Sequence, residues 1–289
     1  DEPRFSPGVV ACQAGIRRRG RGSLTRAPLC LLMVLTALPA TLRAQGGSTS
    51  ATIAGRGIVT GTYSSREPLG GDLAKLQVVQ PMLMAHATAY DGALRVTATV
   101  DFEAWTIPDG ELTIAAWGEG YVDRRHPHTV FHEVMIAGVG HLGGAELSLS
   151  GGKGFAAFGS DDPANRLTLR YPVNHHWSQI LERAVLTGGV LAGPVMVEVS
   201  LFNGDEPEYP QEAPNFSRFG GSWSARLSVL PVHGLQLEAS YASVKSPEHR
   251  AGSGTDQDKW HASAQWTRPL GGHPFYAMAE WAQTSESDG

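Results

Sequence analysis

The 289-residue chain contains two cysteines, Cys12 and Cys30, and both lie in its first 30 residues. A disulfide framework is therefore excluded for the remainder of the chain. After residue 44 there is also no run of 18 apolar residues, which excludes helical membrane spans in that part. If this part enters a bilayer, it must do so as a closed β-barrel, because only closure satisfies every backbone donor and acceptor in lipid.

Positive charge is scarce outside the N-terminus. The first 44 residues hold seven of the 23 Lys and Arg residues but two of the 28 Asp and Glu residues, so the rest has a formal net charge of −10. Such a chain has no basic surface for phosphate backbones, which argues against a nucleic-acid partner. There is no Gly-x-Ser-x-Gly elbow and no phosphate-cradling glycine loop between a strand and a helix. We therefore predict a protein that is not an enzyme and needs no cofactor, with a barrel-embedded Ser–His hydrolase as the enzymatic alternative.

The N-terminal region predicts export. Residues 17–44 have the three parts of a secretory signal peptide: a basic stretch from Arg17 to Arg26, an apolar run at 29–38 and a cleavage site at Leu42-Arg43-Ala44. Residues 1–16 precede it as an upstream extension of no clear role. We assign 45–76 to a flexible N-terminal segment and 77–289 to a β-barrel that is truncated at its C-terminus, because the chain stops in a polar tail where another long loop is expected.

What the mature region does contain is a series of short alternating segments. In 94–104, Leu94, Val96 and Val100 lie on one face while Arg95, Thr97 and Asp101 lie on the other, which is the period of a β-strand. The same alternation predicts about eleven strands, near 77–90, 93–104, 111–117, 129–137, 145–151, 185–192, 195–202, 222–230, 235–243, 260–267 and 274–282.

The connections between these segments are alternately short and long. Short ones fall at 105–110, 138–144, 193–194, 231–234 and 268–273, and long ones at 118–128, 152–184, 203–221 and 244–259, with the Asp91-Gly92 turn as the exception. Short periplasmic turns, long outer loops and strands that alternate apolar with polar are typical of bacterial outer-membrane barrels. We predict an all-β fold, an incomplete transmembrane antiparallel up-and-down β-barrel in the outer membrane of a Gram-negative bacterium.

The polar faces then indicate what the barrel encloses. They carry charged residues such as Arg95 and Arg226, which cannot be buried dry without partners. We therefore predict a water-filled lumen and a porin-like channel for passive diffusion of small hydrophilic solutes or ions, with outer-membrane lipid as the surrounding partner. The alternative is a periplasmic β-sandwich binding protein, in which the apolar faces, including Leu94, Val96, Leu235 and Leu237, would form a dry core.

Four short motifs resemble a known family. They are Gly152-Lys153-Gly154-Phe155 with Phe158-Gly159-Ser160-Asp161-Asp162-Pro163, then Leu181-Glu182-Arg183, and finally Phe202-Asn203-Gly204. This stretch resembles the phosphate-selective porins O and P and their relatives. The resemblance implies an outer-membrane diffusion channel, commonly a homotrimer, with basic residues along the lumen. The acidic character of the mature chain departs from that pattern, so we do not transfer phosphate selectivity.

The 33-residue connection 152–184 is the candidate constriction of the pore, because a loop of this length without strands is unusual unless it is functional. It would fold into the lumen and set the field across the pore; the alternative is an outer loop that covers the barrel mouth. The candidate constriction and lumen residues are Lys153, Asp161, Asp162, Arg166, Arg170, Glu182, Arg183, Arg95 and Arg226.

Histidines are concentrated in the same part of the chain, at His126, His128, His132, His175 and His176. Alternate residues of an extended segment point the same way, so imidazoles from 126–132 could converge with His175-His176 on zinc, copper or nickel. His132-Glu133 does not begin a zincin motif, because Ile136 stands at the position of the second histidine. These histidines are therefore either a metal site or ordinary polar residues of loop and lumen.

Overall fold

The computed structural model describes residues 31–36, 40–43, 49–67, 71–106, 111–112, 122–123, 129–160, 179–207, 209–245, 255–273 and 275–287. The strands are β1 Leu31–Thr36, β2 Ala40–Arg43, β3 Ser50–Glu67, β4 Gly71–Ala89, β5 Leu94–Asp101, β6 Glu111–Leu112, β7 Val122–Asp123, β8 Phe131–Leu142, β9 Ala145–Gly154, β10 Arg183–Ala192, β11 Val195–Phe202, β12 Ser222–Val232, β13 Leu235–Val244, β14 Asp256–Thr267 and β15 Tyr276–Ser287. One short helix, α1, spans Glu103–Thr106. In this part of the chain no helix is long and apolar enough to cross a membrane.

The large sheet is an antiparallel meander. Its strand order from β3 onward is β3-β4-β5-β8-β9-β10-β11-β12-β13-β14-β15, so each strand pairs with its neighbours in sequence, and β1 and β2 both pair with β3. Strands β6 and β7 form a separate two-stranded sheet. Strands β8 to β15 are 8 to 12 residues long, close to the length of about 9 to 11 residues that a tilted strand needs to cross a bilayer. This topology confirms the predicted up-and-down arrangement.

The two faces of the sheet are inverted relative to a soluble protein. Apolar residues are exposed on one face, among them Leu94 at 36%, Val199 at 47%, Leu227 at 43% and Leu237 at 39%. On the opposite face Ser200, Ser224 and Ser240 are buried, together with Arg226, Glu238 and His261. A sandwich would seal Leu94 and Leu237 in a dry core, and no described sheet of matching size covers them. The exposed apolar band is the surface that a barrel presents to lipid.

Aromatic side chains lie on this apolar face near the long connections. The ring centroids of Trp223 and Tyr241 are 5.3 Å apart, and those of Tyr241 and Trp260 are 4.5 Å apart, so three consecutive strands carry one aromatic row. Trp281 on β15 is also exposed. Aromatic residues in this position are typical of the membrane–water interface.

The connections differ from the prediction at one place. The described part of the predicted strand 111–117, Glu111–Leu112, pairs with Val122–Asp123 in the small sheet. Strand β5 pairs directly with β8 in the large sheet, so residues 102–130 connect these two strands. The turn at 90–93 between β4 and β5 is then short, as are 143–144, 193–194, 233–234 and 268–275. The connections 102–130, 155–182, 203–221 and 245–255 are long. From β4 onward the alternation has no exception, and we call the two ends of the sheet the turn end and the loop end.

The sheet also begins earlier than predicted. Strand β3, Ser50–Glu67, lies within the segment 45–76 that the sequence assigns to a flexible region, and it pairs with β4 from Ser50↔Thr88 to Glu67↔Gly71. Its residues, Ser-Ala-Thr-Ile-Ala-Gly-Arg-Gly, alternate weakly in hydrophobicity because small residues occupy both faces. Strands β1 and β2 lie within the predicted signal peptide, whose removal would leave β3 as the first strand.

Candidate functional site

The polar face is covered by the start of the β9–β10 connection. Residues 155–160, which we call the inward segment, include Ala156, Phe158 and Ser160, all buried. The backbone N–H of Ala157 donates to Ser200 Oγ at 2.8 Å, and that of Gly159 donates to Ser240 Oγ at 2.9 Å. These contacts place the segment on the polar face of the sheet, across strands β11 and β13, and not beyond the loop end of the strands.

Further contacts carry the inward segment to the last strands. The guanidinium of Arg226 on β12 donates to Gly159 O at 3.1 Å, and Ser160 Oγ lies 3.5 Å from Glu280 Oε1 on β15. The Phe158 ring meets the His261 ring on β14 edge-on, with centroids 6.0 Å apart. Five consecutive strands, β11 to β15, therefore contact this one segment.

A small apolar cluster holds the inward segment in place. Phe158 and Ile180 pack with Ala156, Val185, Phe202, Ala242 and Val244, and each of these residues is buried. They lie at the loop end of the polar face, where the strands β10, β11 and β13 supply apolar instead of polar inward side chains. The inward segment is thus packed against the wall and is not a solvated loop over the mouth.

The far end of the same connection is fixed by Glu182. Its Oε1 atom accepts from the Thr129 backbone N–H at 2.8 Å and lies 2.7 Å from Thr129 Oγ1 and 2.9 Å from His132 Nδ1. Lys153 Nζ donates in turn to Thr129 Oγ1. Glu182 has a backbone φ of 56°, in the left-handed region that non-glycine residues rarely adopt. Strain of this kind persists where the surrounding contacts determine the conformation, as they do here.

A β-bulge directs His132 into this cluster. The pairing of β5 with β8 shifts between Thr99↔Glu133 and Val100↔Phe131, so His132 is the additional residue on β8. A bulge turns a side chain away from the regular alternation, and His132 is buried while Phe131 beside it is exposed.

The described residues of the family-like motifs lie in this arrangement, and Asp161 to Pro163 lie outside the described residues. At Gly152, which has φ of 150°, a Cβ atom would come within 2.1 Å of Val134 O on β8. At Gly204 a Cβ atom would come within 1.6 Å of Lys245 O at the end of β13. Asn203 Oδ1 accepts from the Ala184 N–H at 2.8 Å, and Phe202 belongs to the apolar cluster. Phe202 therefore packs against the inward segment, while Gly152, Asn203 and Gly204 allow close contacts between the neighbouring strand ends.

Three arginines of the polar face are matched with carboxylates. Arg226 Nε donates to Glu198 Oε2 at 2.8 Å. The Arg183 guanidinium lies 3.4 Å from Glu206 Oε2, and that of Arg95 lies 3.6 Å from Glu146 Oε1.

The loop that follows β11 adds a second acidic group beside Glu206. Burial raises the pKa of the Asp205 carboxyl, and the Arg218 guanidinium at 3.6 Å opposes that rise.

The structure brings together only some of the predicted site residues. Lys153, Glu182 and Arg183 lie around the inward segment, Arg226 lies beneath it, and Arg95 lies apart from it near the turn end. Asp161, Asp162, Arg166 and Arg170 lie outside the described residues, as do His126, His128, His175 and His176. Within the described residues no three His, Cys, Asp or Glu side chains are grouped to hold a metal ion; His132 contacts Glu182 and the Phe155 ring instead.

Some contact residues are absent from the sequence-based set: Ser200, Ser240, Glu280 and Asn203. The serines and Glu280 alternate like any other inward polar residue, so no local signal distinguishes them. Asn203 did have a signal, because it lies in the Phe202-Asn203-Gly204 motif.

An antiparallel meander with an apolar outer face, a polar inner face and a segment packed against that inner face defines a porin-like outer-membrane β-barrel architecture. No family model and no curated protein matches the chain. Among solved structures, it is similar to OccK3 (OpdO) of Pseudomonas aeruginosa at 11% identity and a TM-score of 0.37, covering 90% of this chain and 65% of that one. It is likewise similar to the outer membrane protein OpdK of the same organism, at 11% identity, a TM-score of 0.38 and coverage of 90% and 88%. It is also similar to OccK9 (OpdG) of Pseudomonas aeruginosa, at 12% identity and a TM-score of 0.39, covering 89% of this chain and 87% of that one. The chain thus spans about two thirds of the length of OccK3, and the resemblance to phosphate-selective porins remains one of short motifs.

Proposed function

We propose that this chain forms the wall of a porin-like outer-membrane channel that passes small hydrophilic solutes or ions by diffusion. The observation that carries this proposal is the inverted sheet: apolar residues are exposed on one face, and serines and ion pairs line the other. Only a bilayer outside and water inside make that arrangement stable.

The inward segment is the constriction of this channel in our proposal. Contact with strands β11 to β15 narrows the lumen from one side, and the remaining polar face, on β3 to β9, lines the passage opposite. Lys153, Glu182 and Arg183 fix the ends of the connection, and Arg226 supports its backbone. Asp161, Asp162, Arg166 and Arg170 continue the same connection and are proposed to contribute to its field. A homotrimer, implied by the family resemblance, is also part of the proposal.

Reconstitution of the full-length chain tests this function. The protein should fold in detergent, insert into planar bilayers and give stepwise conductance. Replacement of residues 156–160 by a Gly-Ser linker should raise the conductance of each step, because the segment no longer narrows the lumen. The same replacement at 211–215, in the exposed part of the β11–β12 connection, serves as the control. Recovery of the mature chain as a soluble periplasmic protein would contradict the proposal, and cross-linking in membranes checks the trimer.

A further inference from the structure

Neutral hydrogen-bond donors surround one carboxylate of the polar face. Glu238 on β13 is 9% exposed. Its Oε1 atom accepts from Gln236 Nε2 at 2.8 Å and Ser228 Oγ at 3.1 Å, and its Oε2 atom accepts from Ser263 Oγ at 3.3 Å. All three donors are neutral, and the described part of the chain shows no ion pair to Glu238.

Glu238 lies on the turn side of the constriction. Ser240, the next inward residue of β13, holds the backbone of the inward segment. In the strand register Glu238 pairs with Ser263, and Ser263 pairs with Glu280. Two carboxylates therefore lie in one row across β13, β14 and β15, directly below the segment.

The basic residues nearby do not compensate Glu238. Arg226 and His261 are one row towards the loop end; Arg226 is matched with Glu198, and His261 Nε2 lies 2.6 Å from Glu280 Oε1. Lys259 is on β14 four residues along from Ser263, which is about 13 Å at strand spacing. At that distance Lys259 makes no direct ion pair with Glu238.

We propose that the channel prefers cations over anions and that Glu238 is the residue that sets this preference at the constriction. The inference rests on the proposed channel function and names its solute class. Three neutral donors hold the carboxylate in one position, so its field acts on ions that pass the narrow part without requiring direct ligation. This preference is opposite to that implied by a basic lumen.

The experiment is measurement of the reversal potential of the full-length chain in a planar bilayer under a KCl gradient. The wild type should show a potential of the sign given by K⁺ permeation. Glu238→Gln keeps the side-chain volume and removes the charge, and should lower the K⁺ to Cl⁻ permeability ratio about twofold. Glu238→Asp should retain most of the ratio.

Asp258→Asn is the matched control. Asp258 belongs to the same hairpin and also carries one negative charge, but it lies on the outer face with Tyr241 Oη at 2.7 Å. The K⁺ to Cl⁻ permeability ratio of Asp258→Asn should equal that of the wild type. An anion-selective wild type overturns the inference, and an equal loss in Glu238→Gln and Asp258→Asn overturns the assignment to Glu238. Absence of any conductance in the wild type refutes the channel itself, which separates the two failures.

Discussion

The Glu182 carboxylate lies 2.9 Å from the Nδ1 atom of His132, and both side chains are buried. This contact joins the bulge of β8 to the end of the connection that begins with the inward segment, 50 residues further along the chain. The connection between β9 and β10 is therefore held at two places, by serine hydroxyls and apolar packing at its start and by the Glu182 carboxylate at its end.

Removal of the Glu182 carboxylate should loosen the connection. Glu182→Ala deletes the acceptor of two Thr129 groups and His132, and leaves those groups buried without it. The expected loss of stability is about 3 kcal/mol, read from the midpoint of urea unfolding in lipid vesicles. Glu212→Ala, in the exposed β11–β12 connection, should leave the midpoint nearly unchanged. Equal midpoints for the two variants would show that Glu182 is not an anchor.

Truncation of Phe158 should destabilise the inward segment and widen the pore. The ring is 1% exposed in a cluster with Val185 and Phe202, so Phe158→Ala should cost about 3 kcal/mol. Single-channel conductance should rise because the segment moves away from the wall. Phe216→Ala, at a ring 67% exposed, is the control. An unchanged conductance in Phe158→Ala would contradict the position of the constriction.

Two glycine-to-alanine substitutions test whether glycine is needed only where another backbone segment comes close. Gly204→Ala places a methyl group on Lys245 O and should cost about 3 kcal/mol or more. At Gly188 a Cβ atom meets nothing within 4 Å, so Gly188→Ala should stabilise the strand by about 0.5 kcal/mol. Heat-dependent mobility of the folded protein in gel electrophoresis compares the two. Similar behaviour of both variants would refute the contact at Gly204.

The pair formed by Arg226 and Glu198 should behave as one unit. Arg226→Gln leaves Glu198 without its guanidinium and Gly159 O without a donor, so it should destabilise more than Glu198→Gln. The double variant should be more stable than the sum of the single losses by about 1 to 3 kcal/mol, measured by unfolding in vesicles. Additive losses would show that the two residues act independently.

The strands were predictable because one face of each strand is apolar and outward and the other is polar and inward. This difference imposes strict alternation of residue type along 8 to 12 residues. The segment 111–117 shows where that signal fails. Its alternation is short, and assignment of a strand there forced Asp91-Gly92 to be an exception. The alternation of short and long connections indicated the correct assignment. Once 102–130 is taken as one long connection, the short turn at Asp91-Gly92 is no longer an exception.

The interior was predictable only in part. The motifs identified the connection 152–184, and Glu182, Arg183 and Lys153 lie at its ends; their role in a constriction stays a prediction. The alternation places Ser240 and Glu280 on the inward face, but it does not predict their contacts with the inward segment, because contact between distant strands is set by barrel geometry and leaves no mark in the local sequence. The weak alternation of β3 follows from its many small residues, which fit either face.

The contacts of the inward segment reach far along the chain. Gly159 and Ser240 are 81 positions apart, and Ser160 and Glu280 are 120 apart. Such contacts cannot form until the hairpins that supply them exist, because closing long loops costs entropy that local pairing does not repay. We therefore expect the inward segment to reach its final contacts late in folding, after the hairpins that carry Ser240 and Glu280 have formed.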